Sequence, residues 1–397
     1  MSQSNAMTPE DAQEETLPRR DLIILPLLSL LTLAVCLLAA NATARHFFLS
    51  VRDDRCEVDD PRIGFRYGRN CTEHAKTAEG PWVAHQFNDC GYRTRESCGP
   101  TPQGTTRISL LGASSAEGYL VPYDETFATR AARQLTFELG RPVEIQNLGR
   151  EQCYPDCVLR RIDEALALKP NLVLVAVTPI DLDHMDTSEV ANPDKPMPTN
   201  VDQVQLRHKL DPHNPLNAVQ DFVEHSSAGV ATLHFLFQNP ATFLRLYLLS
   251  GEHAGYLRPT LSPVWDGRMK ACDIVFAKVA EKAHKANVPV ALVEVPSLGQ
   301  ATLVSLNSIP SGLDPYAFNE RLRQISERHG IQFIDVLDAF RHGPEANKLF
   351  YVVDGHLNGA GSALVSNALT QQLIKDQRAA LLGQSVAQQR VAQEREK

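Results

Sequence analysis

Four short stretches hold residues whose types and order fit nucleophilic chemistry at a carbonyl. Gly112-Ala113-Ser114-Ser115-Ala116-Glu117-Gly118 offers serine in a glycine-bounded turn, and Asn147-Leu148-Gly149 offers a second glycine turn. Thr178-Pro179-Ile180-Asp181 forms a polar corner, and Asp354-Gly355-His356-Leu357-Asn358 carries an Asp-x-His. Serine is a weak nucleophile at its own pKa; it needs a base to take its proton and a third group to orient that base. The anion that develops on an attacked carbonyl also needs N–H donors already aimed at it. A serine, a glycine turn and an Asp-x-His together supply those parts. Ser115 competes with Ser114 as nucleophile, and the Gly-x-Ser register favours Ser114.

These stretches can act together only if the fold brings them to one edge. Short, nearly continuous apolar runs predict strands over residues 107–111, 143–147, 171–177, 288–294 and 331–335. Helical spacing predicts helices over 125–139, 157–168, 267–286, 316–329 and 359–374. Strands without polar alternation, separated by helices, are parallel strands buried on both faces. The expected fold is a three-layer α/β/α sandwich with a parallel sheet, flavodoxin-like in architecture. Ligands of such sheets bind beyond the carboxyl ends of the strands, where the first three stretches fall. Ser114 would sit where a strand turns into a helix, with its own N–H and the helix dipole facing an oxyanion. Residues 183–266 interrupt the rhythm after the third strand and read as a cap or partner surface. Pro240 should break the apolar run 230–249 within it.

In order and spacing, residues 105–377 resemble the SGNH (GDSL-type) hydrolase family. Gly112-Ala113-Ser114 with Gly118 is similar to the family's first block, Gly149 to its second-block glycine, and Asp354-Gly355-His356 to its closing block. That closing block has the shorter Asp-x-His form of the branch that includes alginate O-acetylation proteins. The resemblance implies Ser114 as nucleophile, His356 as base, Asp354 as its orienter, and backbone N–H groups of Ser114 and Gly149 as oxyanion hole. Two positions depart from the pattern: Ala113 replaces the first-block Asp, and Ile180 replaces the third-block Asn, whose side chain is an oxyanion donor. A replacement donor would have to come from elsewhere, such as Thr178 or the insertion. The implied activity is hydrolysis of acyl, above all acetyl, esters of small molecules or envelope carbohydrate. Transfer of the acyl group to a polysaccharide beside a membrane acyltransferase partner, or binding without catalysis, are the alternatives. The chemistry calls for no cofactor and no metal.

The rest of the chain places this body outside the cytoplasm. Residues 22–40 carry no charge and are long enough to span a bilayer, with Arg19 and Arg20 just before them. We expect a transmembrane signal anchor over 22–44 behind a polar cytoplasmic tail, 1–21; Ala42-Thr43-Ala44 offers the rival cleavage site. Of eight cysteines, Cys36 lies in the apolar segment, Cys56/Cys71, Cys90/Cys98 and Cys153/Cys157 are local pairs suited to disulfides in an oxidising compartment, and Cys272 is left as a buried thiol. Residues 45–104 read as a loop-rich, cysteine-stapled connector, and 378–397 as a polar tail that frays. With 39 basic against 47 acidic side chains, a net charge of −8 gives no support to a nucleic-acid partner.

Overall fold

The computed structural model describes residues 18–191 and 226–383, apart from Arg19, Leu49, Asp54 and Asn307. The tails 1–17 and 384–397 and residues 192–225 of the insertion lie outside the described residues. The centre is a five-stranded parallel sheet of β6 (Thr106–Gly112), β7 (Val143–Asn147), β8 (Leu172–Val177), β9 (Val290–Glu294) and β10 (Gln332–Asp335), in the order β10-β9-β8-β6-β7. All five predicted strands are present, and the sheet is the expected flavodoxin-like one. Successive side chains of a strand point to opposite faces, and here both faces are apolar. Leu172, Leu174 and Ala176 of β8 pack with the helices Phe127–Leu139 and Gly359–Leu381. Val173, Val175 and Val177 pack with Pro155–Ala167, Pro263–Lys285 and Ala317–Arg328. From β6 the chain moves to one neighbour, β7, then returns to add β8 on the other side. The strand order therefore reverses at the carboxyl end of β6, which is where crevices form in such sheets.

Two departures from the sequence reading have physical causes. Residues 45–104, read as a loop-rich connector, also hold five short strands. They form β1 (Val51–Asp53), β4 (Thr72–Lys76) and β5 (Trp82–Gln86) in one antiparallel sheet, and a hairpin of β2 (Glu57–Asp60) and β3 (Gly64–Tyr67). Burial alternates along β4 and β5, but two of the inward positions are Glu73 and His85, so no hydropathy alternation betrays the strands. The final helix runs to Leu381, beyond the expected end of the domain at 377. Ala and Leu sustain it, Leu381 is fully buried, and its carbonyl accepts Thr106 Oγ1 at 2.7 Å. In the insertion the apolar run does break as expected: one helix, Ser227–Phe237, ends before Asn239 caps the next, Pro240–Tyr247.

At the other end, Asp21–Phe47 is one helix with Pro26 in its second turn. At 1.5 Å per residue its length is about 40 Å, and side chains from Ile23 to Leu38 lie on the exposed surface. The segment Ile23–Phe47 is long and apolar enough to cross a membrane or serve as a signal sequence. Beyond it, the ring of Phe48 lies 5.3 Å from His234 and 6.4 Å from Phe235. The cysteine pairs Cys56–Cys71, Cys90–Cys98 and Cys153–Cys157 are disulfides, and Cys272 is a buried free thiol.

Candidate active site

The site begins with a backbone requirement at the end of β6. Gly112 has φ +151°, and a Cβ there would run into Ala176 O and come within 2.7 Å of Ala116 Cβ. Only glycine lets the strand turn this sharply into the one-turn helix Ser114–Glu117. Ser114 is therefore thrown above the sheet edge at the switch point. Its Oγ lies 2.7 Å from His356 Nε2, although 242 residues separate the two. His356 Nδ1 lies 2.5 Å from Asp354 Oδ1, which also accepts the His356 backbone N–H at 3.3 Å. The carboxylate accepts only, so Nδ1 carries the proton and Nε2 is left to accept from the serine hydroxyl. His356 Nε2 meets Ser114 rather than Ser115.

Electrostatics follow from this arrangement. Burial disfavours charge on His356, but the charge and hydrogen bond of Asp354, with Glu151 and Asp181 further off, outweigh it and raise its pKa. Burial likewise opposes ionisation of Asp354, and His356 more than reverses that, holding the carboxyl below its usual range. Asp181 is buried and pushed up to about 7 by desolvation. It closes a capping box: its N–H donates to Thr178 Oγ1 (3.1 Å), and its carboxylate accepts the Thr178 N–H (2.8 Å). Thr178 is thus occupied with its own helix. Ile180, 39% exposed, presents an aliphatic side chain where the family pattern has a donor.

Gly149 reaches the nucleophile turn but is employed differently from expectation. A Cβ on it would lie 2.5 Å from Glu117 N and 2.8 Å from Ala116 C, so glycine permits backbone to pack on backbone. Its N–H, expected at the oxyanion, donates instead to Asn147 Oδ1 at 2.9 Å, while Asn147 Nδ2 donates to Ala116 O at 2.9 Å.

Behind the turn lies a buried polar cluster that motif reading did not find. Glu117 is fully buried; its Oε2 accepts Tyr67 OH (3.0 Å) and the Glu151 N–H (2.9 Å). His85 Nδ1 stands 3.5 Å from Glu117 Oε1 and 3.3 Å from Glu73 Oε1. The guanidinium of Arg93 holds the carbonyls of Glu117 (2.9 Å), Gly118 and Val121 (2.6 Å). Burial, then the charge of Glu151, lifts the Glu117 carboxyl well above the usual range. Burial and Arg93 press His85 down to about 4. Arg52 pairs with Glu151 and Glu57 and lies over the ring of Tyr119, which meets His356 edge-on at 5.8 Å. Four of these residues, Arg52, Tyr67, Glu73 and His85, come from β1 and β3–β5, where no local signal marks them. Glu117 lies within the serine stretch, three positions after Ser114, but the sequence assigns it no role.

Comparison with known proteins gives one family match and several distant structures. A model of the GDSL-like lipase/acylhydrolase family matches residues 110–364, more than half of the chain. No curated protein matches. Among solved structures, the chain is similar to an acetyl xylan esterase, AlAXEase (14% identity, 68% of this chain and 100% of that one, TM-score 0.37). It is also similar to the psychrotrophic esterase EstA from Pseudoalteromonas sp. (14%, 68% and 97%, TM-score 0.36) and to TesA (13%, 68% and 98%, TM-score 0.36). The family match spans the β6 turn and the Asp-x-His loop alike, and on that ground the chain belongs to the GDSL-like lipase/acylhydrolase family and is an ester-hydrolysing enzyme.

Proposed function

We propose that the protein is an exported, membrane-anchored serine esterase that removes acyl groups, acetyl above all, from envelope carbohydrate. One observation carries the catalytic assignment: the continuous Ser114–His356–Asp354 hydrogen-bonded chain at 2.7 and 2.5 Å. Ser114 Oγ attacks the ester carbonyl as its proton passes to His356 Nε2. Asp354 holds the ring in the required tautomer and stabilises the imidazolium. The Ser114 N–H, at the start of its helix, faces the oxyanion. Collapse of the tetrahedral intermediate breaks the ester C–O bond, and His356 returns the proton to the departing alkoxide. Water then attacks the acyl-serine, gives its proton to His356, and Ser114 leaves with that proton restored.

The apolar helix Asp21–Phe47 supports an anchor, and the three disulfides support an oxidising compartment. The Asp-x-His spacing favours a second reading, in which a polysaccharide hydroxyl replaces water, beside a membrane acyltransferase partner. One experiment separates the two: full-length protein is given an acetylated xylo-oligosaccharide with an unacetylated acceptor, and free acetate is measured against acetylated acceptor. Hydrolysis predicts acetate in excess and none from Ser114→Ala. Acceptor acetylation in excess would replace the esterase with the transferase, and turnover by Ser114→Ala equal to wild type would remove both.

A further inference from the structure

The loop that carries Asp354 is held by a residue from the far end of the chain. Its backbone N–H groups at Val353 and Asp354 donate to one oxygen of Glu79, at 2.8 and 3.0 Å, across 274 and 275 residues of sequence. The other oxygen of Glu79 meets His234 Nδ1 at 2.7 Å. The Glu79 side chain is only 2% exposed. It stands in the turn between β4 and β5, and His234 stands on the helix Ser227–Phe237.

Two consecutive N–H groups and an imidazole N–H are all donors, and a carboxylate is an acceptor with two oxygens. Charge-assisted bonds of this kind are stronger and better directed than neutral ones. Holding the amides of residues 353 and 354 fixes the peptide plane from which the Asp354 side chain leaves. That plane decides whether Oδ1 reaches His356 Nδ1. Tyr351 adds a second tether, its OH donating to Leu120 O at 3.3 Å.

We propose that Glu79 is a positioning residue for Asp354, which makes the antiparallel module of residues 51–86 a working part of the active site. The inference rests on the reading of Asp354 as the orienter of His356. Glu79 touches no reacting atom and acts only through the aspartate it holds. His234 completes its coordination and ties the same carboxylate to the helix that Phe48 packs against.

The test uses the full chain and p-nitrophenyl acetate. Glu79→Ala should lower kcat by about 10–100-fold with KM nearly unchanged, as loss of aligned geometry does. Glu79→Gln, which keeps an oxygen for the two amides, should restore most of the rate. In an Asp354→Ala background, Glu79→Ala should cost nothing further, because residues acting as one unit are not additive. Wild-type kcat in Glu79→Ala, or losses that multiply in the double variant, would overturn the proposal. If Glu79→Ala does not fold, Glu79→Asp serves the same cycle, since it keeps the charge but withdraws the carboxylate by one methylene. A fully active Asp354→Ala variant would instead remove the triad reading, and this proposal with it.

Discussion

His356 faces two partners with opposite demands: Ser114 needs it neutral, and Asp354 favours it charged. Its raised pKa fixes the direction of the pH profile. Below that pKa the imidazolium cannot take the serine proton, so kcat/KM should rise with pH through an inflection above the ordinary imidazole value of about 6.5. Asp354→Asn removes the charge that raises it, so the inflection should move to lower pH while kcat falls on the order of 10³–10⁴-fold. An inflection that stays in place in the variant would contradict the assignment. Ile180 makes a second prediction at this scale. In the family pattern that residues 178–181 resemble, this position holds an asparagine that donates to the oxyanion, and such a donor is worth about 10²–10³ in rate. Ile180→Asn should therefore raise kcat toward short acyl esters, by about 10-fold or more; no gain would mean that the oxyanion does not form beside residue 180.

Among the elements, the β6 turn and the helix behind it pack around a carboxyl whose ionisation burial opposes. Glu117 joins the nucleophile turn to Tyr67 of β3 and to Glu151 after β7. Its folded pKa is raised, so the stability it lends is fully present below the ordinary carboxylate range and is lost as pH rises through the raised value. Melting temperatures measured from pH 5 to 9 should therefore fall more steeply for wild type than for Glu117→Gln, which keeps an acceptor for both donors. Parallel curves would show that Glu117 ionises freely. The elements also show what a single sequence discloses. The parallel strands were legible because each is a continuous apolar run, and Ser114, Asp354 and His356 were legible because each sits in a short motif at a strand end or helix start. The module of residues 51–86 was not, because its inward positions include Glu73 and His85, which face each other across β4 and β5, His85 also facing Glu117 of the nucleophile turn. Nor was Glu79, whose partners are two backbone amides some 270 residues away and His234, 155 residues away, at no spacing a motif would mark. The Gly149 N–H turns on the side chain of Asn147, which spacing does not determine.

Over the whole molecule, the apolar N-terminal helix, the disulfide-linked antiparallel module and the α/β body form one series of contacts, from Phe48 through His234 and Glu79 to Asp354. Full-length protein expressed in its native host should remain in the membrane pellet after an alkaline wash, at a mass that includes the helix Asp21–Phe47. Release into the supernatant, or an intact mass beginning after Ala44, would make that helix a cleaved signal sequence. The central claim, an activated serine at the carboxyl end of β6, has a more direct test. Full-length protein, oxidised, is treated with a fluorophosphonate, and the adduct is located by intact mass and peptide mapping. The account predicts a single adduct on Ser114, formed much more slowly in His356→Ala and absent in Ser114→Ala. An unmodified Ser114 in folded protein, or an adduct on Ser115 instead, would contradict it.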